Sequence, residues 1–250
     1  MINFVGAGPG AVDLITVRGQ KLLSQADVII YAGSLVNKQL LDYKKEGCEV
    51  HDSAYMTLEE VVAVVKSAES ENKMTVRLHT GDASIYGAIR EQMREFDKLG
   101  FQYKVTPGVS SFCGAASSLN AEYTLPEVSQ SVIITRMAGR TPVPERESIR
   151  SYAAHQTSMA IFLSTGLLEG LVEELISGGY SKDTKAAIVY KATWDDEKIV
   201  RCTVSTLAQS AKDNDITKTA LILVGEFLGE AFERSKLYDP SFTTEFREGV

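Results

Sequence analysis

No apolar run in this chain approaches the ~18 residues that a membrane-crossing helix needs, and Met1-Ile2-Asn3-Phe4 enters an apolar strand with no basic segment before it. A soluble, cytoplasmic protein without a membrane partner is therefore the expectation. Cysteine is scarce: Cys48, Cys113 and Cys202 are an odd set, far apart and without a C-x-x-C spacing. That pattern argues against a disulfide framework or a zinc knuckle and fits a reducing compartment. Histidine is as scarce, and His51, His79 and His155 suggest neither a Ser-His-Asp arrangement nor a metal-ligand set. No catalytic base is assigned and no metal site is expected. Positive charge is in deficit, with a formal net charge of -7 and an isoelectric point near 5.1. Broad nucleic-acid or anionic-membrane binding needs a basic face that releases counterions, so both are disfavoured, although a local basic pocket stays open.

What the chain does have is length and alternation. Its 250 residues can bury a large core as two domains near the usual ~100–150 residues. Short Val- and Ile-rich runs alternate with segments of helical period: Asp27 to Tyr31, Thr57 to Ala68, Met74 to Leu78, Ile85 to Phe96. This order predicts a parallel sheet with crossover helices. Thr57 and Glu60 have the spacing of a capping box ahead of Leu58, Val61, Val62 and Val65 on one helix face. Cys113 to Leu119 reads as a small-residue helix and 120–127 as a connection. Strands are then predicted over Ser131 to Thr135, Ser158 to Leu163, Lys185 to Ala192, Lys198 to Val204 and Ala220 to Val224, with a broad apolar helix from Leu167 to Ile176 that ends at Gly178-Gly179. Only Thr193 to Glu197 separate two of those strands, which predicts an antiparallel hairpin and a mixed second sheet. The fold class expected is α/β in two domains, 1–115 and 116–250.

Three glycine-bearing segments end apolar runs: Val5-Gly6-Ala7-Gly8-Pro9-Gly10, His79-Thr80-Gly81-Asp82-Ala83-Ser84, and Val105-Thr106-Pro107-Gly108-Val109-Ser110-Ser111. Glycine lets a strand end turn sharply or approach a ligand, so three such ends on one sheet can converge into a pocket. The first segment is not a dinucleotide fingerprint. G-x-G-x-x-G would need glycine where Ala11 stands, Pro9 has no N–H to offer a phosphate, and the acid expected after the second strand is missing. In the second segment Ser84 marks the expected helix start, with Asp82 or Ser84 serving either as a cap or at a ligand. Ser110 and Ser111 pose the same choice.

The three segments, in this order and spacing, resemble the tetrapyrrole methylases, S-adenosylmethionine-dependent enzymes, over nearly the whole chain. Two further stretches, Thr135-Arg136-Met137-Ala138-Gly139-Arg140-Thr141-Pro142-Val143-Pro144 and Tyr190-Lys191-Ala192-Thr193-Trp194-Asp195-Asp196-Glu197-Lys198-Ile199-Val200-Arg201, are similar to the branch of that family that methylates ring carbon 11 of precorrin-4 or cobalt-precorrin-4 in cobalamin biosynthesis. The chain departs from the family pattern at Ala83, usually proline, and at Gly10-Ala11-Val12-Asp13-Leu14, usually Gly-Asp-Pro-Asp-Leu, while keeping Asp82 and Asp13.

The resemblance implies two α/β domains with S-adenosylmethionine in the cleft between them, and a homodimer. It implies cofactor contacts at Pro9, Gly81, Asp82, Ile85, Ser110 and Ser111, and at Leu163, Ala192 and Ala220 in the second domain. The tetrapyrrole substrate is rich in carboxylates, so a chain of this charge needs local cations. Arg136, Arg140 and Lys191 are the candidates, with Trp194 as an apolar face for the macrocycle. Three rivals remain at this level. They are a sister methylase acting at another ring carbon, on RNA or on a modified protein side chain; a dehydrogenase, disfavoured by Pro9 and Ala11; and a non-catalytic nucleotide-type binding module.

Overall fold

A computed structural model describes residues 1–249, with all side chains except that of Ser34. The chain forms two compact units, one of residues 1–114 with the tetrapeptide Thr193–Asp196, the other of residues 115–192 and 197–249. The first is built from β1 (Ile2–Gly6), α1 (Val17–Gln25), β2 (Val28–Tyr31), β3 (Glu49–Asp52), α2 (Leu58–Ser70), β4 (Thr75–His79), α3 (Ile89–Lys98) and β5 (Tyr103–Thr106), and closes with the start of α4 (Ser111–Leu119). Its sheet runs β3-β2-β4-β1-β5 with every neighbouring pair parallel.

Both faces of a parallel sheet are covered by crossover segments, so its central strands must be apolar on both sides. One face carries Val5, Ile29, Tyr31, Val76 and Leu78 against Leu23 of α1 and Leu40. The other carries Ile2, Phe4, Val28 and Ile30 against Val61 and Val65 of α2 and Met93 and Phe96 of α3. Strand alternation therefore directs Thr75, Arg77 and His79 of β4 to this second face, and all three are buried.

The predicted capping box forms: Glu60 N–H donates to Thr57 Oγ1 at 3.3 Å and Thr57 N–H donates to Glu60 Oε2 at 2.7 Å. The helix expected from Ile85 instead begins at Ile89. Tyr86 and Ala88 sit in the left-handed region, with φ of 54° and 50°, and between them Gly87 lies against the Ala83 carbonyl, where a Cβ would come within 2.2 Å of the oxygen. These residues form a turn, and Ser84 does not cap α3.

The second unit contains the remainder of α4, then β6 (Val132–Arg136), α5 (Ile149–Ala153), β7 (Ser158–Phe162), α6 (Leu168–Gly178), β8 (Lys185–Tyr190), β9 (Lys198–Thr203), α7 (Leu207–Asp213) and β10 (Ala220–Val224). Its sheet order is β6-β7-β10-β8-β9. β6 and β7 are parallel, and the other pairs are antiparallel. The expected hairpin is β8–β9, paired from Lys185↔Thr203 to Tyr190↔Lys198. Met159, Ile161, Leu171, Leu175, Ile188 and Ile222 make its core. One parallel and one mixed sheet is the fold class expected from the sequence.

Candidate functional site

Sheet order makes the C-terminal ends of β4, β1 and β5 neighbours, and there the three glycine segments meet. Gly8 and Gly81 exchange backbone hydrogen bonds, Gly8 N–H to Gly81 O at 3.2 Å and Gly81 N–H to Gly8 O at 2.9 Å. A Cβ on Gly6 would stand 2.5 Å from Gly108 Cα and 2.6 Å from Gly81 O, and one on Gly108 would stand 2.1 Å from Gly81 O. Three backbones thus pack where no side chain fits, and Gly81 also needs its φ of +61°.

Asp82 ties this cluster together. Its Oδ1 accepts from Ser84 N–H at 2.8 Å and from the Ser84 hydroxyl at 2.5 Å, and its Oδ2 accepts from Gly108 N–H at 2.8 Å. Burial pushes the carboxyl pKa upward, but the Ser84 hydroxyl and the Gly108 and Ser84 amides outweigh it and hold Asp82 below the ordinary carboxylate range. Ile85 is half-buried in the turn that follows. Ser110 is buried, and its carbonyl accepts from Cys113 and Gly114 N–H at 3.0 and 3.1 Å, starting α4, whose first residue is Ser111.

The first loop is held from the side by Thr193–Asp196. Trp194 Nε1–H donates to Pro9 O at 3.1 Å, and Thr193 Oγ1 accepts from Ala11 N–H at 3.0 Å. The indole lies so close over Gly10 that a Cβ there would be 2.1 Å from its Cδ1. Pro9 itself is buried, and a Cβ on Gly114 would be 2.8 Å from Pro9 Cβ. Lacking an N–H, Pro9 contributes its carbonyl and its ring. The indole over Gly10 also denies that backbone to a pyrophosphate, which agrees with the absence of a dinucleotide fingerprint.

In the second unit Leu163 follows β7 with a φ of 52° and is 66% exposed, an unusual conformation for an exposed leucine. Ala192 is buried just past β8. Ala220 opens β10 opposite Tyr190, and its carbonyl accepts from Thr165 Oγ1 at 3.1 Å. Lys191, with a φ of 47°, holds its ammonium 5.5 Å from the Tyr190 ring centroid. Arg136 turns back on its own loop: Nη1 donates to Met137 O at 3.1 Å and Thr141 O at 3.2 Å, and Nη2 to Pro142 O at 2.8 Å. Arg140 is exposed on that loop.

His79 is 4% exposed, and its Nε2 has no hydrogen-bond partner among the described residues. Burial first, and then the charge of Arg77, push its pKa down to about 3, so the imidazole is neutral. Sequence reasoning passed over Gly6 and Gly108 as site residues. Their signal was present in the quoted segments, but only strand order shows that their backbones touch. Among the described residues, no group of three or more His, Cys, Asp or Glu side chains is placed to hold a metal ion.

The family model for tetrapyrrole (corrin/porphyrin) methylases matches residues 1–208. The chain is 54% identical over 248 residues to a cobalt-precorrin-4 C(11)-methyltransferase of Methanocaldococcus jannaschii, covering 99% of this chain and 96% of that one. It is 44% identical over 248 residues to a precorrin-4 C(11)-methyltransferase of a Sinorhizobium species, covering 98% of each. The X-ray structure of a cobalt precorrin-4 methyltransferase superposes with a TM-score of 0.90 at 48% identity, covering 92% of this chain and 96% of that one. Sharing both the sequence over nearly its full length and the fold, this chain belongs to the tetrapyrrole methylases.

Proposed function

We propose that the chain is an S-adenosylmethionine-dependent methyltransferase that acts on ring carbon 11 of precorrin-4 or of its cobalt complex, in cobalamin biosynthesis. The observation that carries this reading is the 54% identity to a relative of that activity over 99% of the chain. The 44% identical relative bears the cobalt-free name, so the metal, which belongs to the substrate, is kept open.

The residues present fit the cofactor. The glycine cluster packs three strand ends backbone to backbone with no side chain between them, and among Pro9, Gly81, Asp82, Ile85, Ser110 and Ser111 there is no cation to repel a sulfonium. We infer that these six, with Leu163, Ala192 and Ala220 from the second unit, hold S-adenosylmethionine. Bound there, the cofactor supplies a methyl group already activated on sulfur, so the protein needs no nucleophile of its own. Its contribution is alignment, which is worth as much as about 7–11 kcal/mol. Arg140 and Lys191 meet substrate carboxylates. Arg136 shapes the loop that presents Arg140, and Trp194 sets the first glycine loop while offering a ring face to the macrocycle.

Titration calorimetry with S-adenosylhomocysteine and with a nicotinamide dinucleotide tests the cofactor: binding of the first and not of the second is expected. Incubation with S-adenosylmethionine and either metal-free or cobalt-loaded precorrin-4 tests the reaction, with product mass increased by one methyl group. Binding without turnover of either substrate leaves the binding-module reading in its place. A homodimer in a reducing cytoplasm completes the proposal, the compartment resting on the odd, widely spaced set of Cys48, Cys113 and Cys202. Light scattering at the mass of a single chain rules out the dimer.

A further inference from the structure

On the second face of the parallel sheet, Arg77 is buried at 6% exposure and meets no carboxylate among the described residues. Its Nε–H donates to Gln92 Oε1 at 3.0 Å and its Nη1–H to Ile30 O at 3.1 Å. For packing alone, an apolar side chain of similar volume serves as well as a buried charge. What the guanidinium adds is a donor of fixed direction. It can only donate, so the amide oxygen of Gln92 must face it, and the amide NH2 must then face the other way. There it donates to Ala88 O at 3.2 Å.

Ala88 is the last residue of the turn that begins at Asp82, and its φ of 50° is costly for a residue with a Cβ. Tyr86 shares that conformation, with a φ of 54°. Asp82 anchors the near end of this turn through Ser84 and Gly108. The far end is anchored by Gln92, itself 6% exposed.

We propose that Gln92, oriented by Arg77, is a positioning residue for the cofactor: it holds the Asp82–Ala88 turn, and with it Asp82 and Ile85, in binding shape. This rests on the methyltransferase reading of the site. The informative variant is Gln92→Glu. Glutamate still accepts from Arg77 and gives the buried guanidinium a counter-charge, but its second oxygen has no proton for Ala88 O. Two effects that a purely structural role would move together are thereby separated.

The expected result for Gln92→Glu is a melting temperature equal to or above that of the parent. Amide exchange over residues 83–88 should be faster in the ligand-free protein, and S-adenosylhomocysteine binding weaker by about five- to tenfold, the loss of one part-buried hydrogen bond. Adding Ala88→Gly, which removes the cost of the left-handed residue, should restore part of the affinity. Unchanged exchange over 83–88 overturns the positioning role, and faster exchange with unchanged affinity overturns its link to the cofactor. Should Gln92→Glu fail to fold, Gln92→Met read by the same exchange decides the point. A parent protein that does not bind S-adenosylhomocysteine sinks the methyltransferase reading instead, while the exchange data still report whether Gln92 holds the turn.

Discussion

His79 combines a neutral imidazole with burial, and both follow from its place at the end of β4 beside Phe4, whose ring centroid is 5.9 Å away. Its folded pKa of about 3 lies below the ordinary ~6.5 of the unfolded chain. Between these values the unfolded state binds the extra proton. The stability that the neutral ring provides is therefore complete above about pH 6.5 and is lost as pH falls toward 3. His79→Leu should flatten the stability-versus-pH curve in that window by about 1.4 kcal/mol per pH unit relative to the parent. Urea midpoints at several pH values measure it, and parallel curves would contradict the assignment. Gly108 carries the opposite constraint, one of space. Gly108→Ala sets a methyl 2.1 Å from the Gly81 carbonyl oxygen, so backbone must move, and a loss of about 3 kcal/mol, the upper end of the usual cost of overpacking, is expected in chemical denaturation.

At the level of elements, caps and loops obey the same accounting of donors and acceptors. The Thr57–Glu60 box satisfies two N–H groups at the start of α2, and Thr57→Ala should lower stability by ~1 kcal/mol, read from the denaturant midpoint. In the second unit the loop after β6 is wrapped around Arg136, whose planar fork reaches three carbonyls. Lysine keeps the charge but not the fork. Arg136→Lys should therefore accelerate limited proteolysis within residues 137–142, and an unchanged cleavage rate would show that the loop is held by other contacts. The elements themselves were uneven in how well the sequence disclosed them. α2 announced itself through period and cap. β3 did not, because Glu49-Val50-His51-Asp52 is an edge strand whose side chains are half-buried or exposed, so its pairing with β2 shows in no apolar pattern. The period of Ile85 and Ile89 extends the expected helix back over residues 85–88, but period says nothing about the left-handed φ of Tyr86 and Ala88.

For the molecule as a whole, a net charge of -7 and a polyanionic substrate repel each other unless local cations intervene. Arg140→Ala should raise the Michaelis constant for the tetrapyrrole more than it lowers kcat. The gap between variant and parent should narrow at high ionic strength, where exposed charges are screened. Equal loss in kcat and kcat/KM would assign Arg140 to the transition state instead.

Composition, period and spacing alone determined the alternation of strands and helices, the β8–β9 hairpin, the three glycine-terminated strands and the exclusion of a dinucleotide loop, because each depends on neighbours within a few residues. The order β3-β2-β4-β1-β5 was decided only in three dimensions, and it is that order which brings Gly6, Gly81 and Gly108 into one cluster. Tertiary structure also turned Arg136 toward its own loop, laid Trp194 over Gly10 and linked Arg77 through Gln92 to Ala88. Those contacts join residues whose partners are chosen by packing and by the need of buried polar groups for hydrogen bonds, and neither is written in local sequence.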